Sequence, residues 1–198
     1  MSELFSIQLQ NRQQQGGDGV WLDLPTTTEQ VQAALRQIGI SSDNPQGLFI
    51  SGYFAEEEKR FAIPYNMVLA SNVDELNFLA SRLETLSTGE RAELNAALQA
   101  PQSELFSIGR ITDFPENVDY YVHLPDVHGP AQLGDYYLNR SGMVDMPEEW
   151  KGGIDTAQFG RYVAQQEQGA FTQYGYLVKS GDEWQKVHEG QPVPEEYR

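Results

Sequence analysis

Leu4, Phe5, Ile7 and Leu9 fall among polar residues, and Val20-Trp21-Leu22-Asp23-Leu24 alternates again after a Gln- and Gly-rich connection. Successive side chains of a strand point to opposite faces, so both runs read as strands. The connection from Asn11 to Gly19 has the composition of a flexible hairpin loop. Thr26 and Glu29 then stand at capping-box spacing, and Val31, Ala34, Leu35 and Ile38 recur at i, i+3, i+4 and i+7 until Gly39. That stripe predicts a helix. Gly47 to Phe54 reads as a third strand, so residues 1–65 are expected to form a three-stranded sheet with one helix.

From residue 66 the period changes. Ser71 is placed to cap a helix with Asp74 and Glu75 in its first turn and Val73, Leu76, Leu79, Ala80 and Leu83 as its apolar stripe. Ser87 and Glu90 start a second helix through Leu94 and Leu98. Residues 66–102 are therefore expected to be a small helical bundle that leans on its neighbours, since so few residues bury little surface alone. Residues 103–198 turn mixed. Val118 to His123 is strand-like, Pro130 to Arg140 is helical with a stop at Gly142, and Asp155 caps a further helix carrying Phe159, Tyr162 and Val163. Tyr174–Lys179 and Glu183–Val187 around Ser180-Gly181-Asp182 predict a terminal hairpin, and Pro192 and Pro194 an extended tail. The expected fold class is α+β, a chain of three small domains. Ser-Glu-Leu-Phe-Ser-Ile occurs at 2–7 and at 103–108, but the flanks diverge. The first copy reads as strand and the second as a Ser107 helix cap, so the repeat is a coincidence.

Charge changes the picture more than composition does. The 198 residues carry 29 Asp+Glu against 13 Lys+Arg, a net charge of −16 spread along a chain that is 39% hydrophobic. Scattered carboxylates among apolar residues make a folded acidic surface, which solubility alone would account for. Nucleic acid is excluded as a direct partner because phosphate binding needs Lys/Arg patches; the natural partners are proteins that themselves bind nucleic acid. The chain has no cysteine, so disulfides and thiolate ligands are excluded. The first residues lack a basic n-region and an apolar h-region, and a soluble protein of the bacterial cytoplasm is expected.

Little else suggests catalysis. His123, Asp126 and His128 place two imidazoles and a carboxylate within six residues, the types a zinc or manganese site uses, but Pro125 breaks helical spacing and no supporting cluster follows. No metal, cofactor or enzymatic activity is expected. Gly16-Gly17-Asp18-Gly19 lacks the Gly-Lys-Ser/Thr ending of a phosphate loop. Glu56-Glu57-Glu58 before Lys59-Arg60 reads as a partly self-neutralised turn.

Several stretches together resemble the ArdA-type antirestriction proteins of conjugative plasmids and transposons. They are Gly19-Val20-Trp21-Leu22-Asp23-Leu24-Pro25, Ile50-Ser51-Gly52-Tyr53, Glu75-Leu76-Asn77, Tyr136-Tyr137-Leu138-Asn139-Arg140-Ser141-Gly142, and Ile154-Asp155 through Phe159-Gly160-Arg161 to Gly169-Ala170-Phe171. In order and spacing they cover most of residues 19–178. The resemblance implies an elongated acidic homodimer in three parts that imitates bent B-form DNA and occupies the DNA-binding channel of type I restriction-modification enzymes. Two such chains would carry about −32, the charge of about 54 Å of duplex. A compact monomer of this size would have a radius of gyration near about 16 Å, so elongation is a distinct expectation. Mimicry needs no catalytic residue.

The carboxylates expected to replace phosphates are Asp74, Glu75, Glu84, Glu90 and Glu93 in the middle part, and Asp113, Glu116, Asp119, Asp126, Asp135, Asp145, Glu148 and Glu149 in the third. Tyr120, Tyr121 and Val122 are candidates for a dimer contact through an exposed strand, with core burial the competing role. The alternative function is an acidic adaptor for another DNA-binding protein, a nucleoid protein or a CRISPR effector. The Gln-rich loop and the tail beyond Lys179 depart from the family pattern.

Overall fold

A computed structural model describes residues 3–14, 17–41, 46–101 and 103–198; Gln15 and Gly16 of the expected loop lie outside them. The chain is mixed α and β, and its contacts gather into two units interleaved in sequence. Unit one holds Met1–Ser87, Leu105–Glu116 and Gln185–Arg198; unit two holds Thr88–Glu104 and Asn117–Trp184.

Unit one is built on the expected sheet. β1 (Phe5–Asn11) lies between β2 (Val20–Leu24) and β3 (Leu48–Phe54), antiparallel to both, with Ile7 opposite Leu22 and Tyr53. The period-two pattern is realised literally: Phe5, Ile7, Leu9 and Asn11 are buried and the residues between them are not. α1 (Thr28–Gln37) buries Val31 and Ala34, and Ile38 follows at its C-cap. Its capping box is one residue later than expected, with Thr27 and Gln30 bonded reciprocally in place of Thr26 and Glu29. The shift has a cause. Thr26 is buried and its peptide groups are engaged by Asn77, so the helix starts after it.

α2 (Tyr65–Leu69) packs on β3, and α3 (Val73–Glu84) buries Val73, Leu76, Asn77, Leu79, Ala80 and Leu83. Its cap is Asn72, which accepts from Glu75 N, because the Ser71 hydroxyl instead donates back to Met67 O at 2.8 Å. α5 (Ile108–Thr112) is capped by Ser107, as the second copy of the hexapeptide predicts. The two expected helices of the middle segment exist, but α3 belongs to unit one and α4 (Thr88–Gln99) to unit two.

In unit two, β4 (Tyr121–Leu124) pairs with β6 (Gly175–Lys179), which pairs on its other side with β5 (Ala170–Thr172). The strand expected from Val118 starts only at Tyr121, since Val118–Tyr120 close a 3₁₀ turn through Tyr120 N and Asn117 O. The terminal hairpin is also displaced. Its turn is Gln173-Tyr174, not Ser180-Gly181-Asp182, and residues 183–187 form no strand. Thr172 Oγ1 donates to Gly175 O and accepts from Tyr174 N, which closes this turn locally.

α6 (Pro130–Asp135), continued by a π turn over Tyr136–Arg140, crosses α8 (Thr156–Glu167); α7 (Glu148–Lys151) is one short turn between them. The core is Val127, Leu133, Ala164 and Tyr176, lined by Leu124, Tyr136, Tyr137, Val163, Phe171 and Val178. The helix crossing is made by glycines. A Cβ on Gly134 would overlap the Thr156 carbonyl, and one on Gly160 the Pro130 carbonyl. No helix among the described residues is long and apolar enough to cross a membrane.

Candidate functional site

The exposed carboxylates define the site, and the bases show how it stays negative. Lys59 pairs with Glu56, Arg82 with Glu116, Arg140 with Asp135, Lys151 with Glu148, Lys179 with Glu104 and Lys186 with Glu189. Arg12 and Arg110 lie over the rings of Phe49 and Phe106. Each such base neutralises an adjacent acid or stacks on an aromatic face instead of collecting in a patch. Surface pairs of this kind contribute little stability, on the order of 0–1 kcal/mol each, so their consequence is chiefly the charge pattern they leave.

In unit two that pattern is clear. Asp119, Asp126, Asp145 and Glu149 are exposed, and Glu148 is exposed beside Lys151. Asp135 is half-buried, accepts from Asn139 Nδ2 at 2.8 Å and lies 3.4 Å from Arg140. In unit one Asp74, Glu75 and Glu84 are half-buried on α3. Burial raises the Asp74 pKa, against the Arg198 charge that lowers it and the Glu75 charge that adds to the rise. Glu116 is held by Arg82.

Two expected members are turned away from solvent. Asp113 is fully buried, and its two oxygens accept from the backbone N–H groups of His188 and Glu189 at 2.6 and 3.2 Å. It cannot stand in for a solvent-facing phosphate. Glu93 and Glu90 are half-buried on α4, and the Glu93 Oε1 is buried without a hydrogen-bond partner. Desolvation first, then the charges of Glu90 and Asp119, push the Glu93 carboxyl up to about 8. Its carboxyl is turned inward on α4 and so differs from the exposed carboxylates of the negative face.

That shift has a thermodynamic sign. In the unfolded chain Glu93 ionises near 4.5, so between 4.5 and about 8 the folded state binds more protons, and stability falls as pH rises through that window. Glu93→Gln should remove the slope: no gain at pH 4, and a gain of about 1–2 kcal/mol at pH 9 once solvent screening of the partly exposed group is allowed for. Urea midpoints at pH 4, 7 and 9 check it, and parallel curves for the two proteins would contradict it.

Of the dimer-contact candidates, Tyr121 is buried in its own core, and the edge-on Tyr120 ring packs between Tyr121 and Trp184 at 4.9 and 5.1 Å. Val122 is exposed on β4, an outer strand of its sheet. The His123 loop does not converge on a cation: His123 Nε2 lies 2.7 Å from the Tyr174 carbonyl, and His128 is exposed. Among the described residues no group of three His, Cys, Asp or Glu is placed to hold a metal.

One arrangement went unread in the sequence. Tyr137 OH donates to Glu167 Oε2 at 3.0 Å and Tyr176 OH lies 3.5 Å from the same oxygen, beside a groove of about 560 Å³ lined partly by Tyr121, Phe171 and Leu177. Burial and the Glu167 carboxylate raise both phenols well above their ordinary range. Gly169 makes the geometry possible, since a Cβ there would occupy the position of the Tyr176 hydroxyl. The Gly169-Ala170-Phe171 and Tyr136-Tyr137 motifs carried that signal.

With this geometry in place, the comparisons are specific. The family model described as Antirestriction protein (ArdA) matches residues 16–178. Among curated proteins none matches the chain.

Proposed function

The chain belongs to the ArdA antirestriction protein family, and from that premise we propose that it inhibits type I restriction-modification enzymes by presenting carboxylates in place of duplex phosphates. The observation that carries this reading is the sorting of charge in unit two. Arg140 and Lys151 are drawn to Asp135 and Glu148, while Asp119, Asp126, Asp145 and Glu149 stay exposed. A channel built to bind DNA is lined with cations that release counterions when phosphates arrive, and exposed carboxylates satisfy the same cations. The proposed working form is a homodimer in the bacterial cytoplasm, its gene carried by a mobile element. No catalytic group is needed, because occupancy alone excludes DNA.

Competition between this protein and a duplex for a purified type I methyltransferase tests the reading. Inhibition should be strongest at low salt and weaken as salt rises, because exposed charges are screened within a Debye length of about 10 Å at 0.1 M. Asp119→Asn, Asp126→Asn, Asp145→Asn and Glu149→Gln should each weaken inhibition about two- to threefold, and combined by about 16- to 80-fold with a shallower salt slope, since distant sites add. No competition at low salt would remove the proposal.

A further inference from the structure

The last fourteen residues lie beyond the matched family span, yet unit one closes around them. We propose that α3 and α5 form a peptide-recognition groove whose resident ligand is the chain's own C-terminal segment, Gln185–Arg198. The groove reads backbone at one end and aromatic surface along its length. Asp113, at the C-cap of α5, is an acceptor-only carboxylate, and its two oxygens take the consecutive N–H groups of His188 and Glu189. Two parallel bonds to adjacent amides fix the register of a segment without reference to its side chains. Gly109 lets it approach, since a Cβ there would press on Glu189 Cα at 3.3 Å.

Side-chain recognition centres on Phe78. Its ring receives His188 edge-on at 5.0 Å and Tyr197 at 5.0 Å, so one aromatic on α3 meets two residues nine apart in the segment. The far end is held by Asn77 Nδ2 on the Tyr197 carbonyl and Thr28 Oγ1 on the Arg198 carbonyl, at 3.4 and 2.8 Å. Between these anchors Gly190 to Val193 arch over a hollow of about 300 Å³ floored by Ile108 and Thr112. The segment is thus held at two points with an underpacked middle, the construction of a docked peptide and not of a core element, whose contacts would be continuous.

The test uses the full chain with a protease site inserted between Gly181 and Asp182, both exposed. After cleavage the freed segment should co-elute with the body at micromolar concentration and exchange with an excess of labelled synthetic peptide 185–198. The same peptide N-methylated at His188 should displace it about 10- to 100-fold less well, because it lacks one charge-assisted donor to Asp113. This comparison leaves the body unaltered, so misfolding cannot imitate the result. A segment that elutes free, or equal displacement by the two peptides, would overturn the proposal. Neither outcome bears on restriction inhibition, which the uncut protein reports separately.

Discussion

Gly160→Ala is expected to destabilise the protein by about 3 kcal/mol and to lower Tm by roughly 6–12 °C. In an open helix the same change would stabilise by about 0.5–1 kcal/mol, because alanine loses less backbone entropy than glycine. Position 160 is not open. Its Cα faces the Pro130 carbonyl and the Gly134 amide across the α6–α8 crossing, and the atom a methyl would meet is rigid backbone. The helices must therefore separate, and separation unpacks Leu133 and Ala164, both buried in the core of unit two. Gly89→Ala on α4 is the control: nothing lies within 4 Å of its Cβ position, so it should be neutral or slightly stabilising. Thermal melts by circular dichroism decide the matter, and equal midpoints for the two variants would refute the close-crossing argument.

This pair of glycines also shows where sequence reading runs out. The motif Phe159-Gly160-Arg161 was visible as part of a resemblance, but a glycine inside a helix gives no sign of which carbonyl approaches it. Local information did better. The alternation from Leu4 to Leu9 gave a strand, which the structure carries on to Asn11, and the stripe from Val31 to Ile38 gave a helix that buries Val31 and Ala34. Both helix N-termini that slipped did so by one residue and for a tertiary reason: Thr26 is engaged by a residue 51 positions away, and Ser71 is used by the turn before it. The hairpin was misplaced because Ser180-Gly181-Asp182 has turn composition, while the chain instead turns at Gln173-Tyr174, where Thr172 closes the bend and Gly175, at φ +117°, fits against the Leu124 backbone.

The candidate surface divides along the same line. An acidic residue is legible as acidic but not as exposed. Asp126 and Asp145 stay open because they sit in irregular segments after β4 and before α7. Asp113 carries the same formal charge, yet its position at the C-cap of α5 turns it inward to bind amides 75 and 76 residues away. Long-range partners of that kind leave no periodic trace in sequence, whereas burial of a charge on a helix face, as at Glu93, follows from the apolar stripe beside it.

Asn77→Leu should cost about 2–4 kcal/mol, although it adds apolar surface at a fully buried position and keeps the branched outline of the side chain. Asn77 sits amid the apolar stripe of α3, where leucine would look like an improvement. Its amide, however, closes a reciprocal pair with the backbone of one residue in the β2–α1 connection: Oδ1 accepts from Thr26 N at 2.7 Å and Nδ2 donates to Thr26 O at 3.1 Å. Leucine would leave that buried donor and acceptor unmet, and an unmet buried group costs about 1–3 kcal/mol, more than the gain from one buried side chain once packing is already complete. Thr26 cannot turn to water without moving the Thr27 cap, so the start of α1 should loosen with it. Hydrogen exchange at the Thr26 amide is the specific readout. It should accelerate together with the drop in urea midpoint, whereas a stability loss with Thr26 exchange unchanged relative to the rest of unit one would show that the cost lies in packing and not in the lost pair.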